Sequence, residues 1–178
     1  MTPSASHKIA GSRATFGGLG VVPRPRFRSM TERLFLHRVR AIHVPPTAVE
    51  RNSYGVLFCR WDCPCPDIGA LWASIKPREV VLSTKVSHCH FERTNYLEET
   101  MSNLVYKRRI VRDSLLEVSR FLRGEIAVSI TYKNGKLHSR GWCRVAQLSS
   151  AMSRSEELFG PGLVEKAWNW SGEITAPQ

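Results

Sequence analysis

The sequence has no long hydrophobic run and no internal repeat. A helix that crosses a bilayer needs ~20 consecutive apolar residues, so a membrane-spanning helix is not predicted. At 178 residues the chain is long enough for one domain with a full core and too short for two. We therefore expect a single-domain protein of the cytoplasm, either free or peripheral at the inner membrane.

Acidic residues are scarce. The chain has 15 Asp and Glu against 26 Lys and Arg, which gives a formal net charge of +11 at pH 7. An excess of this size is typical of a protein with an anionic partner, and we expect nucleic acid, a nucleotide or an acidic protein surface. A basic protein without such a partner is the alternative.

Residues 1–29 contain no acidic residue at all and are rich in Ser, Gly and Pro. Their positive charges are Lys8, Arg13, Arg24, Arg26 and Arg28. Such a segment buries little apolar surface, so we predict a disordered basic tail followed by one domain over residues 30–178. A transit peptide is one alternative, although the scattered Pro and Gly make a poor amphipathic helix. A true start at Met30 would explain the segment equally well.

The cysteines do not form the pattern of a disulfide framework. Their number, five, is odd and no secretory signal is present, which favours a reducing cytosol. Their clustering leaves a zinc site open, with the candidate ligands Cys59, Cys63, Cys65, His88, Cys89 and His90. The spacing matches no standard zinc finger, and the alternative is a strand running into a Pro-rich turn, with the sulfurs as small hydrophobic groups.

The local patterns predict strands separated by short helices, and hence a mixed α/β fold. We predict strands over residues 33–44, 54–61 and 80–88, and a short helix over residues 67–75. A further helix is expected to begin near Ser155, and a short terminal helix through Trp168 follows a Gly-Pro-Gly break. Trp168 and Trp170 should dock this C-terminal helical extension on the core.

The strongest periodic feature is a helix over about residues 98–124. Apolar residues recur in it at steps of four, three and four, at Val111, Leu115, Val118 and Leu122. Residues so spaced share one face of a helix. Gly124 is a natural helix stop.

The same helix carries a basic cluster, formed by Lys107, Arg108, Arg109 and Arg112. Like charges this close on a helix repel one another by a few tenths of a kcal/mol per pair. DNA phosphates would relieve that repulsion. We therefore predict a DNA-binding surface here, and a solvated basic helix face is the alternative.

A phosphate-binding arrangement is predicted after this helix. A strand over residues 126–132 and an Asn134-Gly135 turn lead to residues 139–148, SRGWCRVAQL, with a second helix predicted over residues 143–152. Gly141 would let the backbone approach an anion, and the helix start would offer unpaired N–H groups. Arg144 could reach the same oxygens with its planar guanidinium.

The order helix, strand, hairpin and Gly-x-x-Arg at a helix start resembles the ParB/sulfiredoxin-like superfamily. The resemblance covers roughly residues 33–153, and within the superfamily the small basic chain is most similar to the plasmid fertility inhibition factors. It implies one ParB/sulfiredoxin-like domain that binds DNA and ATP, the ATP with a divalent metal such as Mg²⁺, and that has ATPase and DNase activity. It also implies inhibition of conjugative, type IV secretion DNA transfer, with conjugation or secretion-channel proteins as partners.

The resemblance also implies site residues. Those for the nucleotide are Gly124, Glu125, Gly141, Trp142, Cys143 and Arg144, and Arg140 is added because it adjoins the turn. The candidate catalytic residues are Arg144, Glu125 and His138, the last as a general base or phosphate ligand. The later acidic and basic motif of ParB has no match here. The metal ligands therefore stay unassigned, with Glu156 and Glu157 among the nearest acids.

The Gly-x-x-Arg segment also differs from sulfiredoxin. Trp142 stands where sulfiredoxin has its reactive cysteine, and Cys143 follows one residue later, so sulfiredoxin chemistry is not expected. An exposed Cys143 at a helix start would have a lowered pKa, and a buried helix residue is the alternative. Two other functions stay open: a non-enzymatic protein that blocks a transfer-channel component, with Trp142 filling the nucleotide site, and a zinc-stabilised nucleic-acid-binding module.

Overall fold

The computed structural model describes residues 27–96 and 102–175 of the chain. These residues form three α-helices and two antiparallel sheets, so the predicted mixed α/β class is confirmed. The predicted tail falls almost wholly in residues 1–26, outside the described residues.

The helices are α1 (Met30–Val39), α2 (Asn103–Leu122) and α3 (Leu148–Phe159). The strands are β1 (Ala48–Arg51), β2 (Leu57–Trp61), β3 (Leu71–Lys76), β4 (Glu79–Ser83), β5 (His88–Glu92), β6 (Ile126–Lys133), β7 (Lys136–Arg144), β8 (Leu163–Asn169) and β9 (Gly172–Ile174). Short 3₁₀ turns at Arg93–Asn95 and Val145–Gln147 complete the regular structure of the described residues.

The first sheet has the strand order β1-β2-β3-β4-β5, and every neighbouring pair is antiparallel. Alternate residues of β2 and β3 are buried, as expected for strands with one covered face. That covered face packs against α1 and α2, and its side chains join the main hydrophobic core.

The second sheet has the order β7-β6-β8-β9 and is also antiparallel. Strand β6 lies inside it and is covered on both faces over its first half. Ile126 and Val128 belong to the main core beneath α2, whereas Ala127 packs with Leu148 of α3 and Ala167 of β8. The second sheet is therefore held between two helices near the start of β6.

Two elements predicted downstream of residue 97 are confirmed. The long helix is α2, and its C-cap Arg123 is followed by Gly124 at φ 73°. The turn between β6 and β7 has Asn134 at φ 51° and Gly135 at φ 72°, and this pair of positive φ values makes the turn compatible with a tight hairpin. Residues 97–101, the first part of the predicted helix, lie outside the described residues.

Several predicted elements are wrong. Residues 33–44 are not a strand, because Met30–Val39 form α1. The Ser29 side chain caps this helix by accepting a hydrogen bond from the Glu32 N–H at 3.2 Å. Residues 67–75 are not a helix either, since Leu71–Lys76 form β3, and the strand predicted over residues 80–88 is divided between β4 and β5.

The C-terminal helical extension is also wrong in its last part. Leu163–Asn169 form β8, which pairs with β6. A helix does precede the Gly160–Gly162 break, but it is the single helix α3 from Leu148, in place of the predicted helices over residues 143–152 and from about Ser155. Strand β6 has buried side chains on both faces and needs hydrogen-bonding partners on both edges. Trp168 nevertheless docks on the core, and Trp170 packs against Phe121 with ring centroids 5.8 Å apart, as expected.

Candidate functional site

The basic cluster of α2 lies mostly on its solvent side. Arg108 and Arg112 are exposed, Arg109 is half-buried, and Lys107 is turned toward the buried face because it lies four residues before Val111. Two further arginines, Arg120 and Arg123, continue the solvent side toward the end of the helix. We call the five arginines at 108, 109, 112, 120 and 123 the basic face of α2. From first to last it spans about 22 Å along the helix axis.

Acidic side chains partly neutralise this face. Arg112 Nε donates to Asp113 Oδ1 at 2.7 Å, and Asp113 also accepts from the Tyr96 hydroxyl at 2.8 Å. The bond to Asp113 raises the pKa of Arg112. Arg123 Nε donates to Glu125 Oε1 at 2.6 Å, and this hydrogen bond lowers the pKa of Glu125. Each of these arginines keeps further N–H groups that a phosphate could use.

A groove runs beside the basic face, between the C-terminal end of α1 and the middle of α2. Its volume is about 640 Å³. The floor is apolar, with Ile42, Leu115 and Leu122, while Arg38 and Arg112 stand among its lining residues. A groove of this kind suits an apolar or amphipathic partner that carries negative charge.

The Gly-x-x-Arg segment is not at a helix start. Gly141–Arg144 end strand β7, and α3 begins only at Leu148 after a 3₁₀ turn. Gly141 pairs with Ser129, and a Cβ added to it would lie 2.3 Å from Ser129 Oγ. The glycine therefore leaves space for a neighbouring hydroxyl. The predicted arrangement of a glycine and helix N–H groups around a phosphate does not fit these residues.

Side chains of the same segment bind to α2. Trp142 Nε1 donates to Glu117 Oε1 at 3.0 Å, and the Trp142 ring stacks on Phe121 with centroids 5.2 Å apart. Arg144 lies 3.8 Å from Glu117 Oε2 and 3.9 Å from Glu125 Oε2. The guanidinium predicted to hold phosphate therefore stands between two carboxylates.

The residues predicted for nucleotide binding and catalysis meet only in part. The loop of Gly124 and Glu125 does contact the segment, since Arg144 Nη1 lies 3.9 Å from Glu125 Oε2 and the next residue, Val145, donates its N–H to Glu125 O at 2.9 Å. His138 is at the opposite end of β7, edge-on to Phe159 at 4.5 Å. His138 and Arg144 are six positions apart along the strand, about 20 Å. The predicted catalytic group of Arg144, Glu125 and His138 is therefore not assembled.

Cys143 and Arg140 also differ from what the segment predicted. Cys143 is in a strand, packed beside Ala127 and Leu148, and burial followed by the charge of Glu165 raises its pKa. The predicted helical position of this residue is wrong, and its half-buried thiol does not meet the exposure on which a lowered pKa depended. Arg140 is exposed on β7, four residues before Arg144 and about 13 Å from it along the strand.

Four of the six candidate zinc ligands lie in strands of the first sheet, and Cys63 and Cys65 lie in the loop after β2. The register places Cys59, Ala73, Leu82 and Cys89 in one row over four strands, which separates the two cysteines by about 14 Å. Burial raises the pKa of Cys59 to about 12. His90 is on the other face, with Nδ1 2.5 Å from Glu79 Oε1. Within residues 27–96 and 102–175, no three His, Cys, Asp or Glu side chains are grouped to hold a metal ion.

Glu117 is a residue of this site that the sequence did not suggest. Its carboxylate accepts from Trp142 and lies 3.6 Å from Arg120 Nη1 as well as near Arg144. An acidic residue three positions before Arg120 is a local signal for a helix ion pair. Its link to β7 depends on tertiary packing, which no local pattern indicates.

Comparison of the chain with protein-family models, with curated proteins and with solved structures found no match. Among the described residues, no helix combines the length and apolar character needed to cross a membrane.

Proposed function

We propose that the protein binds DNA through the basic face of α2. The observation that supports this most directly is five arginines along about 22 Å of one helix side. The net charge of +11 favours the same partner. Because these arginines would contact phosphates, binding should be strongly salt-dependent and nearly independent of base sequence.

The test is the salt dependence of duplex binding. The double variant Arg108→Gln/Arg112→Gln should weaken binding to all duplex sequences alike and reduce the slope of log K against log[salt] by nearly two units. A charge-matched control, Lys85→Gln/Arg154→Gln, changes two exposed cations on other elements. An unchanged slope in the first variant, or an equal loss in the control, would reject the α2 surface.

The resemblance to ParB/sulfiredoxin-like proteins adds further parts to the proposal. They are ATP and Mg²⁺ as ligands, ATPase and DNase activity, and inhibition of conjugative DNA transfer, as in fertility inhibition factors such as the oncogenic suppression activity protein. The Gly124–Glu125 loop lies beside Arg144, as the resemblance implies for a nucleotide site, although the carboxylates of Glu117 and Glu125 already flank that guanidinium. Since Gly141 does not lie at a helix start, we derive no hydrolytic step from these residues.

A non-enzymatic interaction protein is the second candidate. Two observations favour it: Trp142 and Arg144 are engaged by Glu117, and the groove of about 640 Å³ between α1 and α2 has an apolar floor. A component of a transfer channel would then be the partner. Duplex binding that fails even at low salt would favour this candidate over the first.

A further inference from the structure

The outer ends of β6, β7 and β8 form a sheet surface that presents apolar, aromatic and basic side chains. Along β6, the side chains of Ile126 and Val128 are fully buried on the face toward α2. Further along that face the cover ends. Leu137 is 52% exposed and Val164 is 58% exposed.

The strand register defines which side chains share this surface. One row runs Arg140, Ile130, Lys166 across β7, β6 and β8, and the next runs Leu137, Tyr132, Val164. We call these six residues the distal sheet face. Adjacent rows are about 7 Å apart, and Arg140 and Lys166 are about 10 Å apart across Ile130.

Charge and shape narrow the class of ligand. The first row contains two basic residues, Arg140 and Lys166, and neither row contains an acid. Arg140 and Lys166 are exposed, and neither has an ion pair with another residue in the described part of the chain. Tyr132 stands between the two aliphatic side chains in the centre of its row. The surface thus has an aromatic and aliphatic centre with cations beside it.

We infer that the distal sheet face binds single-stranded nucleic acid. An unpaired base stacks on the Tyr132 ring, and Arg140 and Lys166 contact the phosphates on either side. Aromatic rings on an open sheet face, with neighbouring cations, are a general way of holding unpaired bases. A duplex keeps its bases stacked inside and offers this surface only phosphates, so single strands are preferred.

This surface goes beyond the proposed function, because its residues and its preferred form of nucleic acid both differ from those of the basic face of α2. The opposite face of the same sheet is covered near this end: Lys133 Nζ donates to the Phe159 carbonyl at the end of α3 at 2.5 Å. The ligand therefore reaches these strands from the α2 side only.

The test measures binding of the full chain to a labelled 20-nucleotide oligothymidylate, to oligouridylate of equal length and to a hairpin duplex. Tyr132→Leu keeps an apolar side chain but removes the ring, so it should weaken binding to both single strands by roughly five- to a hundredfold. It should change duplex binding less than twofold. Tyr132→Phe, the matched control, retains the stacking surface and should bind within about twofold of the wild type.

The charge arm uses Arg140→Gln/Lys166→Gln, which should reduce the salt slope for single strands by about 1.4 units. Thermal unfolding must show that each variant is folded. Single-strand binding that is unchanged in folded Tyr132→Leu would overturn the inference, even if duplex binding depends on Arg108 and Arg112. Single-strand binding that depends on Tyr132, without duplex binding to α2, would support the inference and reject the proposed function. Different affinities for the two oligonucleotides would separate DNA from RNA as the preferred strand.

Discussion

At one end of strand β7, Trp142 and Arg144 contact the largely buried carboxylate of Glu117, whereas at the other end Arg140 and Leu137 face solvent. The residue types at the two ends are alike, since each pairs an apolar side chain with an arginine. The elements that pack beside each end determine whether these side chains are covered. Glu117 and Phe121 of α2 occupy the inner end, and no helix of the described residues covers the outer end on that face. We therefore expect the end with Trp142 and Arg144 to stabilise the fold and the end with Arg140 and Leu137 to bind a ligand.

Among the variants that test this contrast, loss of the Trp142 side chain should have the largest effect on the free energy of unfolding. Trp142→Ala removes the stack on Phe121 and leaves Glu117 without its donor, so the free energy of unfolding should fall by about 3 kcal/mol. Trp142→Phe keeps a smaller aromatic ring for the stack but not the N–H, and should cost about 1 kcal/mol. Urea unfolding measures both. If the urea midpoint of Trp142→Ala equals that of the wild type, this end of β7 does not stabilise the fold.

A smaller effect should distinguish packing from phosphate binding at Gly141. Gly141→Ala forces Ser129 Oγ to move, which should cost about 1 kcal/mol or somewhat more. In a Ser129→Ala background the same change should be neutral or stabilising, because Ala loses less conformational entropy than Gly. Urea unfolding of the wild type, the two single variants and the double variant gives the coupling free energy between positions 129 and 141. If Gly141 instead receives a triphosphate, ATP binding should fall equally in both backgrounds, and this outcome would revive the phosphate-binding hypothesis.

The smallest effect is expected at Glu125, which faces Arg144 and Arg123 from the exposed loop. The hydrogen bond from Arg123 lowers the pKa of this carboxyl. Its contribution to stability is therefore present above the unfolded value of about 4.3 and is lost as the pH falls through the folded value. Glu125→Gln should lower the melting temperature slightly at pH 7 and have no effect at pH 2. A deficit that grew on acidification would contradict the lowered pKa.

The part of the fold that was predicted correctly is the part with strong local signals. Helix α2 has a four-three-four apolar spacing and a glycine stop, and the Asn134-Gly135 turn permits positive φ at both positions. Helix α1 was misread as a strand because apolar and basic residues alternate in residues 33–40. Its usable signal was the Ser29-x-x-Glu32 pattern of a helix N-terminus, which the structure shows as a cap.

The site was less predictable, because pairing between strands that are distant in sequence determines which side chains lie together. Residues 163–169 include Glu, Lys, Ala and Trp without clear alternation, and only the free edge of β6 makes them a strand. That error placed Lys166 in a helix and concealed the row it forms with Arg140. The same holds for Gly141, whose role depends on the hydroxyl of Ser129 twelve residues earlier.

The register shift in the β6–β7 hairpin decides which side chains the open surface receives. Thr131 pairs with Ser139 and Tyr132 with Leu137, so His138 is an extra residue in β7. In an uninterrupted strand, residues 136, 138 and 140 would share one side, and two more basic or titratable groups would stand beside Arg140. The bulge places Leu137 there instead and turns Lys136 toward the side of Lys133. Deleting His138 would remove the bulge and still leave Leu137 opposite Tyr132. A regular pairing that retained His138 would instead bring His138 opposite Tyr132, so the shifted register is what keeps this surface apolar.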